Sequence, residues 1–198
     1  MSGEVTPETV LEFWLGAPGD PPLVRSSSWY KKDAAFDKEI KDRFEATLNA
    51  AKRGELDDWK KTPRGRLAFV ILNDQFSRNM FRGTSDMFAQ DALARDTALD
   101  AIAQGDEGQL KHVERSFLYM PLMHAEDVDL QRKCVAAFGR LVDSSPPELK
   151  SFLESGLHYA KLHADIVERF GRFPHRNAIL NRPTTREEET FLKTNPGF

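Results

Sequence analysis

The sequence predicts an all-α protein, and three observations support that prediction. Residues typical of helix N-caps, often followed by proline or an acidic residue, recur along the whole chain. Between these caps, apolar residues are spaced three or four positions apart, as on the buried face of a helix. No stretch shows the sustained two-residue alternation, bounded by hairpin turns, that is typical of strands.

Capping residues define the predicted helices. Thr6, Asp33 and Thr62 each precede an apolar periodic segment, and proline follows both threonines at the first helical position. Gly54 and Gly105 stand where a helix would end in the left-handed conformation. In chain order the predicted helices cover residues 6–15, 33–54, 62–80, 84–105, 111–120, 128–142, 147–170 and 185–192.

Two segments are predicted to interrupt this pattern. Residues 17–28 are rich in proline, glycine and serine and are expected to form an irregular surface loop. Pro121 is expected to kink or stop the helix that precedes it, because proline lacks a backbone N–H. The remaining connections are mostly short, which favours stacked antiparallel helix pairs. A chain of 198 residues is typical of one domain, so residues 1–198 are expected to form a single helical domain.

Composition argues against several classes of protein. Lys and Arg number 28 and Asp and Glu 31, so the net charge is −3, whereas nucleic-acid-binding domains usually carry a basic face. No apolar run approaches the roughly 20 residues of a membrane span, and the N-terminus lacks a signal peptide, so a soluble cytoplasmic protein is expected. With a single cysteine and no ligand motif, neither a metal nor a cofactor is expected, and the oligomeric state stays open.

Arginine is distributed unevenly along the chain. Residues 64–82 and 169–182 hold eight of the 16 arginines and no lysine. A solvated helix face usually mixes the two residue types. Arginine alone favours directional hydrogen bonds to carboxylate, phosphate or backbone oxygens.

The first of these segments places polar residues on a helix that is apolar nearly all round. Asp74, Arg78, Asn79 and Arg82 share one arc of this helix, and spacings of four make Arg78 a neighbour of both Asp74 and Arg82. Buried charges are costly without partners. The patch is therefore either paired within the fold or part of the lining of a cleft.

The other polar segments are a loop and a helix end. Gly171 and Pro174 end a long helix and present Arg172, His175, Arg176 and Asn177 in a stiff loop, where they either bind a ligand or cap the helix. Upstream, the helix that meets Pro121 carries the candidates Glu114, Arg115 and Tyr119, and His124 follows it. A histidine on an apolar stretch, such as His124, is either a core or cap residue or an acid–base group.

The segments 73–83 (NDQFSRNMFRG), 114–124 (ERSFLYMPLMH) and 169–177 (RFGRFPHRN) resemble the motifs of the family called domain of unknown function 924. The similarity covers essentially the whole chain. Two positions depart from the family pattern, which has proline in place of Ser77 and serine in place of Ala125. The resemblance implies an irregular, tetratricopeptide-like stack of helix pairs in bacterial cytoplasmic proteins, and it implies no established activity.

We hypothesise that the three motifs converge on one polar cleft that binds a small anionic ligand. The arginines expected to hold its phosphate or carboxylate are Arg78, Arg82, Arg115, Arg172 and Arg176. The residues expected to orient them are Asp74, Asn79, Glu114, Tyr119, His175 and Asn177. The candidate acid–base groups near neutral pH are His175 and His124.

Two alternatives lead to other classes of function. A helical stack can bind the C-terminal carboxylate of a peptide partner on a concave face. The polar residues can also form a buried network whose only role is to fix helix packing. Binding of nucleic acid or of a membrane is not expected from the charge and the hydropathy.

Overall fold

The computed structural model describes residues 5–195 and 197, and that part of the chain is helical with no strand. The all-α prediction is thus confirmed. The α-helices are α1 (Pro7–Leu15), α2 (Ser26–Trp29), α3 (Ala34–Lys52), α4 (Pro63–Ile71), α5 (Ser77–Met80), α6 (Asp91–Ala103), α7 (His112–Met123), α8 (Val128–Asp143), α9 (Pro147–Phe170) and α10 (Arg186–Leu192). A π-helical turn, Leu72–Phe76, joins α4 to α5.

The helix ends follow the predicted capping residues. The side chains of Thr6, Thr62 and Thr185 each accept a hydrogen bond from the backbone N–H three residues later. Asp33 caps α3 in the same way. Gly105 has the positive φ of 75° that a left-handed residue after α6 requires.

Pro121 does not stop the helix that contains it. Helix α7 continues to Met123, and the N–H of His124 donates to the Met120 carbonyl at 3.0 Å. Proline removes one backbone hydrogen bond at its own position, while those of the following residues remain available. The predicted end of this helix before Pro121 is therefore wrong.

Two other predicted segments differ in detail. The loop at 17–28 contains the start of α2. Trp29 of this helix is buried, and its indole N–H donates to the Trp14 carbonyl at 2.7 Å. The single helix predicted at 84–105 is divided into a 3₁₀ turn, Ser85–Phe88, and α6. This division brings the first residue of α6 beside the polar residues of α5.

Consecutive long helices pack antiparallel to each other. His112, at the start of α7, hydrogen-bonds through Nε2 with the carbonyl of Ser144, just after α8, at 2.9 Å. Arg132, near the start of α8, donates to Glu168, near the end of α9, at 2.9 Å. These contacts agree with the antiparallel pairing expected from the short connections.

The core surrounds α4 and an aromatic cluster. Every residue from Gly65 to Ile71 is buried, so α4 is enclosed on all sides. Trp14 of α1 contacts Phe76 and Phe117 with ring centroids 5.5 and 5.9 Å away. Within the described part of the chain, none of the helices has the length and apolar composition needed to cross a membrane.

Replacement of Gly65 by alanine should destabilise the fold. An added Cβ would lie 1.9 Å from the carbonyl oxygen of Trp59, which is backbone and cannot rotate away. We expect Gly65→Ala to lower the free energy of unfolding by about 1–3 kcal/mol in urea denaturation. Gly139→Ala in α8 is the matched control, because nothing lies within 4 Å of its added Cβ. Alanine should stabilise there by about 1 kcal/mol. Equal free energies of unfolding for the two variants would contradict the close approach of the Trp59 carbonyl to Gly65.

Candidate functional site

A π-helical turn interrupts the buried helix at the first motif. Leu72–Phe76 form this turn, and all five residues are buried. The side-chain amide of Asn73 donates to the Phe69 carbonyl at 2.8 Å, which supports the turn from within. The helix continues through Ser77 into α5. Single π turns inside α-helices occur frequently at functional sites.

The π turn places the carboxylate of Asp74 at the centre of a charged cluster. Asp74 is 1 % exposed, and its Oδ1 accepts from Arg78 Nη1 at 2.8 Å. The same oxygen lies 2.7 Å from Nδ1 of His124, at the end of α7. Burial alone would raise the pKa of Asp74, but the charge of Arg78 and the hydrogen bond from His124 hold it below its ordinary value. Asp74 is therefore a carboxylate at neutral pH.

Asp91, the first residue of α6, completes the ion pairs of this cluster. Its Oδ2 accepts from Arg78 Nη2 at 3.0 Å, and its Oδ1 lies 2.9 Å from Arg78 Nη1. Arg78 thus lies between two carboxylates. Sequence reasoning missed Asp91 because an acidic residue in the first turn of a helix is common for reasons of helix stability. No motif pointed to it.

Arg176, from the 3₁₀ turn Pro174–Arg176, reaches the same cluster from the C-terminal side of the fold. Its Nη2 donates to the His124 carbonyl at 3.0 Å, and its Nη1 lies 3.6 Å from Asp91 Oδ2. The guanidinium carbon lies over two rings, 4.6 Å from the centroid of Phe88 and 4.5 Å from that of Phe173. Burial, reinforced by the charge of Arg78, lowers the pKa of Arg176 to about 10, so it remains a cation at neutral pH.

We call these residues the central cluster. It consists of Asp74, Arg78, Asp91, His124 and Arg176. Four of the residues predicted from the sequence therefore meet, and they come from all three motifs. In the described residues, no group of three histidine, cysteine or acidic side chains is arranged to hold a metal ion.

Two further candidates of the first motif face α3 instead. Asn79 donates to Asp37 at 2.7 Å, and Arg82 donates to both oxygens of the same carboxylate at 2.7 and 2.9 Å. These bonds fasten α5 to the first turn of α3. The π turn contributes to this separation, because it changes the helical phase between Asp74 and the residues after it.

The candidates on α7 also have hydrogen-bond partners outside the central cluster. Glu114 accepts from the backbone N–H of Lys111 and from Arg64, both at 2.7 Å, and so caps the start of its own helix. Arg115 donates to the Leu110 carbonyl at 2.8 Å. Tyr119 donates to Glu107, and burial, followed by that hydrogen bond, raises the pKa of Tyr119 above its ordinary value.

Two candidates of the third motif hold α10 in place. Arg172 donates to both oxygens of Glu188 at 2.7 and 2.9 Å, and the side chain of Asn177 donates to the same residue at 3.3 Å. His175 is half-buried beside Arg176, and Gly197 lies against it, since a Cβ there would be 3.2 Å from its ring. His175 belongs to the surroundings of the cluster.

The prediction that all candidates line one cleft is thus wrong. Side chains on one helix point in different directions, and carboxylates distant in the sequence neutralise most of the predicted arginines. The candidates placed outside the central cluster are Asn79, Arg82, Glu114, Arg115, Tyr119, Arg172, His175 and Asn177.

Histidines around the central cluster are kept neutral. Burial, followed by the charge of Arg78, lowers the pKa of His124, although Asp74 opposes the shift. Burial lowers the pKa of His163 to about 3 and, with the charge of Arg176, that of His175 to about 4. The His124 and His163 rings lie 6.2 Å apart, so a proton on one disfavours a proton on the other.

Stability should therefore fall as the pH drops from about 6.5 towards 4. In this window the unfolded chain binds protons at His163 and His175 that the folded protein does not, so each shifted histidine costs up to about 1.4 kcal/mol per pH unit. Urea denaturation from pH 7 to 4.5 measures the slope. His163→Gln should flatten it, whereas the same change at exposed His158 should not. Identical slopes for both variants would contradict a buried neutral His163.

Comparison with known proteins places the chain among proteins of similar fold. The solved structure of a protein of unknown function, ATU0120 from Agrobacterium tumefaciens, is 41 % identical and covers 96 % of this chain and 97 % of its own, with a TM-score of 0.81. A search of curated proteins gives no match. The model of a family of bacterial proteins of unknown function, DUF924, matches residues 10–196. Because that match spans most of the chain, the protein belongs to the DUF924 family.

Proposed function

We propose that the protein binds a small oxyanion at Arg176. The supporting observation is that this guanidinium is buried while most of its hydrogen-bond donors lack a partner. Its side chain is 8 % exposed, its one hydrogen bond within the described residues goes to the His124 carbonyl, and its Nε has no partner there. A buried cation with an unsatisfied N–H is costly, and an oxyanion at Nε would supply the missing acceptor.

Arg66 shows how this fold satisfies a buried arginine that has a structural role. Its side chain is 7 % exposed, close to the value for Arg176. Its Nε and Nη2 donate to the two oxygens of Asp106 at 2.5 and 2.7 Å, and its Nη1 donates to the Lys60 carbonyl. Arg66 donates hydrogen bonds from all three guanidinium nitrogens, whereas Arg176 donates from one, Nη2. This contrast favours a ligand role for Arg176.

The bond between His124 and Asp74 favours a second role, that of a proton acceptor beside the ligand. The carboxylate of Asp74 accepts a hydrogen bond from the Nδ1–H of His124, so the lone pair of the neutral ring is on Nε2. The carbonyl of the same histidine accepts from Arg176. We therefore propose His124 as the acid–base group of the site and Asp74 as the residue that orients it.

Substitution of the two arginines tests the ligand role. We expect Arg66→Met to lower the free energy of unfolding by about 3–5 kcal/mol, because it leaves the buried Asp106 uncompensated. Arg176→Met should lower it by less than Arg66→Met does, because Asp91 keeps its closer ion pair with Arg78 and a single hydrogen bond is lost. Urea denaturation of both variants measures the difference. A loss for Arg176→Met as large as that for Arg66→Met would assign Arg176 to packing.

The ring nitrogens of His124 test the acid–base role. ¹⁵N NMR at pH 7 should show a neutral imidazole with its proton on Nδ1. Asp74→Asn should remove this preference for Nδ1, because an amide can also donate to the ring. Asn73→Asp cannot replace this variant as a test, because it adds a charge. A proton on Nε2 in the wild type would contradict the proposed role.

A further inference from the structure

We infer that the oxyanion bound at Arg176 is a carboxylate with a single negative charge rather than a phosphate. This inference rests on the proposed function and names its ligand class. Two features of the site carry it: the rings that pack against the guanidinium, and the charges already present in the central cluster.

The two rings restrict approach to the edge of the guanidinium. Its central carbon lies within 4.6 Å of the ring centroids of both Phe88 and Phe173, so both rings pack against the group. A carboxylate is planar and can lie in the plane of the guanidinium. A phosphate is tetrahedral, so it cannot lie wholly in that plane and needs more space beside the rings. The shape of the site therefore favours the planar anion.

The charges of the central cluster also favour a ligand that carries a single negative charge. Asp74 and Asp91 carry two negative charges, and Arg78 and Arg176 carry two positive charges, so the formal sum is zero. Both carboxylates already lie against Arg78. Among the described residues of the cluster, Nε of Arg176 is a buried donor without a partner, and the neighbouring histidines are neutral at pH 7. A singly charged anion would change the formal sum to −1 and a dianion would change it to −2, and each uncompensated buried charge is costly.

Thermal unfolding with matched anions tests the ligand class. Acetate and benzoate are compared with phosphate and sulfate at pH 7 and constant ionic strength, in the wild type and in Arg176→Met. Phosphate and sulfate stabilise most proteins without a specific site. The measured quantity is therefore the shift in Tm that Arg176→Met removes. At ten times its Kd, a bound carboxylate should raise the wild-type Tm by roughly 3–6 °C.

Two control variants keep this experiment decisive. Arg64→Met alters an arginine at the cavity of about 340 Å³ between α1 and α7, and it should retain the carboxylate effect. Arg176→Lys keeps the charge but lacks the planar fork, and it should lose most of the effect. It also replaces Arg176→Met as the comparison if the methionine variant does not fold.

Each outcome separates the ligand class from the proposed function. A shift for the carboxylates that depends on Arg176, with phosphate shifts equal in wild type and variant, supports the inference. A larger Arg176-dependent shift for phosphate would overturn the ligand class and leave oxyanion binding intact. If no anion gives an Arg176-dependent shift, oxyanion binding itself is wrong, and the inference fails with it.

Discussion

The carboxylate of Asp74 is the group on which the arrangement of the central cluster depends. It is enclosed by protein, and it stays ionised because Arg78 and His124 bind the same oxygen. Removing Arg78 would leave the buried carboxylate without its counter-ion, and removing His124 would leave it without a hydrogen bond, so α5 and the end of α7 are fixed relative to each other. Arg78 transmits this constraint to α6 through Asp91. Three separate parts of the chain are thus positioned by one ionised side chain.

Other ion pairs serve a different purpose in this fold. Asp37, Glu188 and Glu126 each bind arginines that are distant in the sequence, and they fasten short elements such as α5 and α10 to the longer helices. In each of these pairs a carboxylate receives two arginine N–H bonds. Arg176 differs because, within the described residues, its ion-pair partner Asp91 is 3.6 Å away and already bound to Arg78. That difference is the basis on which a ligand role is proposed for Arg176.

Sequence reasoning was reliable for the elements and partial for the site. Capping residues and apolar spacing are local, and therefore Thr6, Asp33 and Thr62 could be identified as helix starts without knowledge of the fold. The partners of the arginines are not local. Asp37 and Asp91 look like ordinary acidic residues of a first helical turn, and only the packing of α3 and α6 against α5 brings them to Arg82 and Arg78. Spacing along one helix also could not show the π turn.

That π turn sets the register of the first motif. Five residues, Leu72–Phe76, occupy a wider turn than an α-helix would need. If the same residues formed a regular α-helix, every later side chain would rotate by about 100° relative to α4. Arg78 would then turn away from Asp91, and Asn79 and Arg82 would turn away from Asp37. Loss of one residue within the turn would instead remove the extra residue and restore a regular α-helix, and the later side chains would still face their partners. The wider turn therefore lets this segment hold one additional residue without moving the charged side chains that follow it.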